Sequence, residues 1–234
     1  DENVFNGISL VLPVNKSIAL VGESGAGKST FVDLVSLIVD PQEGKILFDG
    51  TSHDRINKLS WRRQIGYVSQ ETVIFDDTIA NNISMWAAKG ERTDLLNNKI
   101  KDAARQANIL DYVESLPLGF DTLVGDRGVL LSGGQRQRIF IARELFRKPS
   151  LLILDEATSA LDSLSEKEVQ GSIDRLKGQM TVIIIAHRLS TIKNVDLIYV
   201  LKDGVLEESG TYKELISDSS TSFSKLASMQ SLGE

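Results

Sequence analysis

Cysteine is absent from the 234 residues, so disulfides and thiolate zinc sites are both excluded. Histidine is nearly absent: His53 and His187 are the only two, too few for an imidazole-built metal centre. No basic excess exists either. Against 26 Lys and Arg stand 32 Asp and Glu, a net charge of −6, which argues against a nucleic-acid binder. The apolar runs, such as "LVLPV" and "VIIIA", fall far short of the ~20 residues that cross a bilayer. The chain opens on Asp1-Glu2-Asn3, with neither a signal-peptide pattern nor an initiating methionine, and reads as a soluble piece of a longer protein.

What is present alternates between two periodicities. "SIALVG", "KILFDG", "IGYVSQ", "LLILDE", "TVIIIAH" and "VDLIYVL" are strand-type runs, and the first passes through a glycine-rich turn into the helical "STFVDLVSLI". From Asp76 to about Arg147 the pattern is helical: "TIANNISM", "LNNKIKDAARQANIL" and "GGQRQRIFIARELF". "DSLSEKEVQGSIDRLK" and "TYKELI" are further helices, Lys202-Asp203-Gly204 is a hairpin turn, and the Ser-rich Ser217–Ser224 is a loop before a last helix. Strands alternating with helices predict an α/β protein with a mainly parallel sheet, a small antiparallel part and a helical insertion.

Two motifs carry chemistry. "GESGAGKST" fits G-x-x-x-x-G-K-[ST]. Its glycines let Gly22, Glu23, Ser24, Gly25, Ala26 and Gly27 curl their N–H groups inward at a helix start that continues through Thr30. Lys28 supplies a cation for the β- and γ-phosphates and Ser29 a hydroxyl for Mg²⁺. A strand precedes the motif and a helix follows it, the context it requires. "LLILDE" ends a buried strand in Asp155 and Glu156, at the sheet edge where ligands bind. Alone, such a pair is more often a solvated acidic turn; beside a phosphate loop, Asp155 is read as the Mg²⁺ partner and Glu156 as the group that polarises water.

"LSGGQ" (Leu131, Ser132, Gly133, Gly134 and Gln135), about twenty residues before the acidic pair, resembles the signature of the ABC (ATP-binding cassette) family. Its serine and glycines open a helix and would form a second anion site. Further elements are similar to the family's: Gln70 to the Q-loop glutamine that senses Mg²⁺, Ser159, Ala160, Leu161 and Asp162 to the D-loop, and His187 to the switch histidine. The resemblance covers nearly the whole chain. It implies a RecA-like P-loop core over about 1–75 and 148–234 with a helical subdomain over about 76–147. It also implies Mg²⁺-dependent ATP hydrolysis in a head-to-tail sandwich, where the signature of one copy closes the γ-phosphate held by the other. Catalytic roles fall to Glu156, His187 and Gln70, with Ser29, Gln70 and Asp155 at the metal.

"TLVGDRG" (Thr122–Gly128) resembles the exporter X-loop, with Asp126 where Glu is usual, and "ETVIFDDTIANNI" (Glu71–Ile83) resembles the exporter segment that receives coupling helices. The chain is thus expected to be the nucleotide-binding domain of an exporter or flippase half-transporter, working as a homodimer at the cytoplasmic face of a membrane with its own transmembrane domain and without nucleic acid. A repair or translation ABC ATPase is the alternative, disfavoured by the compact spacing of roughly 110 residues between phosphate loop and signature. A non-hydrolysing cassette is disfavoured by the presence of Glu156 and His187. Trp61, Phe75 and Trp86 are candidate coupling contacts, with packing the expected role for Trp61. The resemblance implies an adenine-stacking aromatic about 24 residues ahead of the phosphate loop, expected just upstream of residue 1, and its absence from this stretch would cost ~1–3 kcal/mol of base stacking; Phe5 is an expected core position.

Overall fold

A computed structural model of the chain describes residues 3–88, 90–158, 161–186 and 188–231. The elements run β1 (Ser17–Val21), α1 (Lys28–Val35), β2 (Leu47–Phe48), β3 (Thr51–Ser52), α2 (Lys58–Arg62), β4 (Ile65–Val68), α3 (Ile79–Ser84), α4 (Asp94–Gln106) and α5 (Leu110–Ser115). They continue with α6 (Gly133–Phe146), β5 (Leu151–Asp155), α7 (Ser163–Leu176), β6 (Thr181–Ile185), β7 (Leu197–Lys202), β8 (Val205–Gly210), α8 (Tyr212–Ser217) and α9 (Ser222–Ser231). Six strands form one sheet in the order β4-β5-β6-β1-β7-β8, and β2 pairs with β3 in a separate antiparallel hairpin. Central β1 is parallel to both β6 and β7, whereas β8 returns antiparallel along β7.

The chain divides into two compact units. The first holds residues 1–65, 150–154 and 178–234; the second holds 66–149 and 155–177. In the first, β1 is buried along its whole length, as its unbroken apolar run requires for a strand covered on both faces. Ile18, Leu20, Phe31, Val32, Ile153, Ile183, Ile185 and Leu201 form its core. Both hairpins turn on an Asp-Gly pair with positive φ at each residue: Asp49 (48°) with Gly50 (81°), and Asp203 (46°) with Gly204 (73°). That is the twist a two-residue connection needs. In the second unit, α4, α6 and α7 pack on one another, with Ile100, Ala104, Ile139, Ile141 and Val169 fully buried.

Side-chain caps set most helix starts. Asn57, Thr78, Thr93, Ser132, Asp162 and Thr211 each accept a hydrogen bond from a backbone N–H of the following turn.

Local details depart from the sequence reading in four places. The expected strand over Lys45–Gly50 shrinks to Leu47–Phe48. The helix expected through "LNNKIKDAARQANIL" breaks at Asn108 (φ 55°), which separates α4 from α5. Strand β4 ends at Val68, so Gln70 lies in the bend after it rather than at the strand end. The loop expected over Ser217–Ser224 covers only residues 218–221, because Glu208 of β8 accepts the N–H groups of Ser222 and Phe223 (2.6 and 3.1 Å) and starts α9 early.

Candidate functional site

The phosphate loop belongs to the first unit. Gly22 leaves β1 where a Cβ would stand 2.3 Å from the carbonyl oxygen of Leu201, so no larger residue fits without parting β1 from β7. Gly25 (φ 86°) and Gly27 (φ 95°) adopt the left-handed conformation that curls the loop. Helix α1 starts at Lys28 with Gly27 as its N-cap, no side-chain cap and no acid in its first turn. A helix start without a side-chain cap is the kind at which backbone N–H groups and the helix dipole favour an anion. Lys28 is only 7% exposed, and its Nζ donates to the carbonyls of Gly22 (2.8 Å) and Glu23 (2.9 Å). The ammonium thus staples the loop it serves. Ser29 is exposed beside it. Phe5 packs on the core, as expected, and also lies over the loop: a Cβ on Gly27 would come within 2.7 Å of its ring.

The remaining described candidates lie in the second unit. Gln70 is exposed after β4. Asp155 ends β5 half-buried, and its Oδ2 accepts a 2.6 Å hydrogen bond from the hydroxyl of Tyr67. Glu156 follows at φ 52°, a conformation that costs a non-glycine residue of order 1 kcal/mol and is typical of functional positions. Ser159, Ala160 and His187 lie outside the described residues.

The signature opens α6 as the sequence indicated. Leu131 is buried, and Ser132 and Gln135 form a capping box. The Ser132 Oγ accepts from Gln135 N–H (3.2 Å), and Gln135 Oε1 accepts from Ser132 N–H (2.8 Å). The capping box engages the N–H groups of Ser132 and Gln135, not those of Gly133 and Gly134. The D-loop Asp162 caps α7, accepting from the N–H groups of Leu164 (3.1 Å) and Ser165 (3.0 Å) and from the Ser165 hydroxyl (2.7 Å). The Ser165 N–H and hydroxyl hold its carboxyl below the usual range. A Cβ on Gly134 would lie 2.6 Å from both Cβ and Oγ of Ser165, and Leu161 lies against Gly133. Signature and D-loop are therefore in direct contact within one chain. Arg138 and Glu168 extend the contact between α6 and α7 with a 2.7 Å ion pair.

The two exporter-like segments are also joined. Ile79 N–H donates to the Thr122 carbonyl (3.0 Å), and Val124 N–H donates to that of Asp77 (3.1 Å). Buried Arg143 of α6 pins the first of them. Its guanidinium donates to the carbonyls of Asn82 and Val73 (2.7 Å each) and to Asn82 Oδ1 (3.1 Å), and lies over the Phe75 ring. Trp86 packs edge-on against Phe75, donates to Asp77 and remains exposed beside Met85. Trp61 is a packing residue, donating to the Val35 carbonyl and lying tilted against the Phe48 ring. Of these supports, Tyr67, Arg143 and Ser165 have no mark in the sequence, because each acts through a partner distant along the chain or through a cap geometry shared with many helices.

Comparison with known proteins gives the family and the fold. The family model described as "ABC transporter" matches residues 5–159, well over half of the chain. The Heterocyst differentiation ATP-binding protein HepA of Nostoc sp. is 50% identical over 92% of this chain and 35% of its own length. An ATP-dependent lipid A-core flippase of Methylococcus capsulatus is 49% identical over 89% of this chain and 34% of its own. A solved bacterial Atm1-family ABC exporter with ATP bound superposes with a TM-score of 0.82 at 38% identity, covering 97% of this chain and 39% of that one. The chain thus spans about a third of the length of these relatives. The fold is the ABC ATPase P-loop fold that the sequence predicts, a mixed, mostly parallel sheet with a small antiparallel sheet and helical elements. Matched by that family model over most of its length and close to half identical to these proteins, the chain belongs to the ABC transporter family.

Proposed function

We propose that this chain is the ATP-hydrolysing domain of an exporter or flippase, paired head to tail with a second copy and joined to a transmembrane domain at the cytoplasmic face of a membrane. The observation that carries the reading is the phosphate loop: an uncapped helix start, two left-handed glycines and a buried lysine converge on one anion-binding concavity. Residues Gly22–Thr30 bind the ATP phosphates, and Lys28 exchanges its carbonyl partners for phosphate oxygens. The donors assigned to magnesium (the Ser29 hydroxyl, the Asp155 carboxylate and the Gln70 amide) are all oxygen, the set a hard divalent ion takes. Bound there, magnesium would neutralise charge on the β- and γ-phosphates.

Glu156 orients the attacking water and takes its proton as the bond between the γ-phosphorus and the ADP oxygen breaks. His187 contacts the γ-phosphate. Ser132, Gly133, Gly134 and Gln135 of the second copy close the site from the far side, and the D-loop Ser159–Asp162 lies between the two sites. Because Glu156 and the signature are present together, two identical copies make two competent sites. The tied segments around Asp77–Ile83 and Thr122–Gly128, with Met85 and Trp86 exposed next to them, are where motion passes to the membrane domain.

Glu156→Gln tests this reading. The variant is expected to bind ATP, to stop turnover, and to elute from gel filtration as a dimer in ATP and as a monomer without it. Hydrolysis at the wild-type rate would remove Glu156 from its role.

A further inference from the structure

The geometry points to Tyr67 as a positioning residue for Asp155: its hydroxyl holds one carboxylate oxygen and turns the other toward the magnesium of a bound nucleotide. The inference rests on the proposed assignment of Asp155 to magnesium. Tyr67 is the outward-facing residue of β4, between buried Gly66 and Val68, and is 38% exposed. Its hydroxyl reaches Asp155 Oδ2 at 2.6 Å, the length of a charge-assisted O–H···O⁻ bond. Its own backbone is fixed from the signature helix: Glu144 of α6, its side chain 12% exposed, accepts the Tyr67 N–H through Oε2 at 3.3 Å, and Arg147 lies 3.6 Å from the same oxygen.

Burial does not require this bond. A phenol with over a third of its surface in water can satisfy its hydroxyl there, so the bond to Asp155 is not the forced rescue of a stranded donor. Its consequence is instead for the carboxylate. An ionised carboxylate accepts through two oxygens, and a donor fixed on Oδ2 removes one of the two ways it could present itself to a cation. Partners of this kind around metal ligands typically govern metal affinity by 10–100-fold. They act on the metal-bound state and leave nucleotide contacts made by the phosphate loop untouched. Tyr67 is therefore expected to set the magnesium requirement without setting the affinity for the nucleotide itself.

The test is Tyr67→Phe in the full-length protein, which deletes one oxygen and keeps the ring. A fluorescent ATP analogue in EDTA should bind with wild-type affinity. The Mg²⁺ concentration that half-maximally tightens that binding should rise on the order of 10-fold, and so should the concentration that half-saturates ATPase activity. Turnover at saturating Mg²⁺ should be preserved, and manganese bound in the nucleotide complex should show weakened affinity by electron paramagnetic resonance. Asp155→Asn separates the two layers of the argument. If it keeps the wild-type magnesium response, the assignment of Asp155 is at fault. If it loses that response while Tyr67→Phe titrates like the wild type, the role given to Tyr67 is overturned.

Discussion

Asp196 offers a quantitative check on how the strand that delivers the phosphate loop is held. Its carboxylate stands at the foot of β1 just before β7. It accepts from the Ser17 N–H (2.9 Å), the Ser17 hydroxyl (2.7 Å) and Lys16 Nζ (3.0 Å), while its own N–H donates to Ser17 Oγ. Partial burial pushes the carboxyl up, but the Ser17 and Lys16 donors outweigh it and hold the pKa at about 2 against an ordinary 3.8. At about 1.4 kcal/mol per unit, that difference is on the order of 2 kcal/mol. The side chain is 33% exposed, and solvent screening reduces the figure to about 1.5–2 kcal/mol. The folded-state value is depressed, so the contribution is complete above 3.8 and is lost as pH falls through about 2. Asp196→Asn should therefore be less stable than the wild type by about 1.5–2 kcal/mol at pH 7 and at pH 5, with the gap narrowing below pH 4 and closing near pH 2. Urea unfolding of both proteins across that range, followed by far-UV circular dichroism, measures it. A gap that does not change with pH would show that the charge plays no part, and a gap below about 0.5 kcal/mol at pH 7 would show that the hydrogen bonds contribute nothing net.

Two further substitutions probe the supports of the motifs. Arg143→Leu fills similar space but leaves the Asn82 and Val73 carbonyls without their side-chain donor and the Asn82 amide oxygen with only the Phe75 N–H, so thermal unfolding should report a loss of about 2–4 kcal/mol, and limited proteolysis should open the segment around residues 73–82 first; an unchanged midpoint would refute the anchor. Gly22→Ala drives a methyl onto the Leu201 carbonyl oxygen, and should cost about 1–3 kcal/mol while abolishing ATP binding by gel-filtration assay; retained binding would show that β1 and β7 part without harm to the loop.

The legible parts of this molecule are those whose cause is local. The buried strand before the phosphate loop, the helix opened at Ser132 and the Asp203-Gly204 turn each place cause and effect within a few residues, and each forms where the sequence puts it. The misread parts depend on distant partners. Helix α9 begins inside a serine-rich stretch because Glu208, 14 residues earlier, caps it. The break between α4 and α5 carries neither Gly nor Pro, and Asn108 takes the left-handed conformation while its carbonyl accepts from Arg138 (2.7 Å) and its amide donates to Glu168 (3.3 Å). The tyrosine on Asp155 is 88 residues away from it in sequence, and a strand-type run around position 67 says nothing about what its hydroxyl meets.

The signature glycines show why such distant partners matter for interpreting function. A glycine in a phosphate-binding motif is ordinarily explained by the close approach of the ligand. At Gly133 that explanation has little competition: an added Cβ meets Leu161 Cδ2 at 3.3 Å and Arg136 Nη2 at 4.0 Å, both the ends of flexible side chains. At Gly134 the added atom would meet Ser165 Cβ and Oγ at 2.6 Å and its Cα at 3.2 Å, whatever is or is not bound. Ser165 cannot step aside cheaply, because its N–H and hydroxyl are both committed to Asp162. A side chain at Gly134 must therefore push on the first turn of α7 and on the D-loop aspartate. A loss of ATPase activity from substitution at Gly134 confounds the proposed nucleotide contact with this displacement, whereas substitution at Gly133 isolates the proposed contact. The second glycine of the signature is required by the chain's own packing before any second copy arrives.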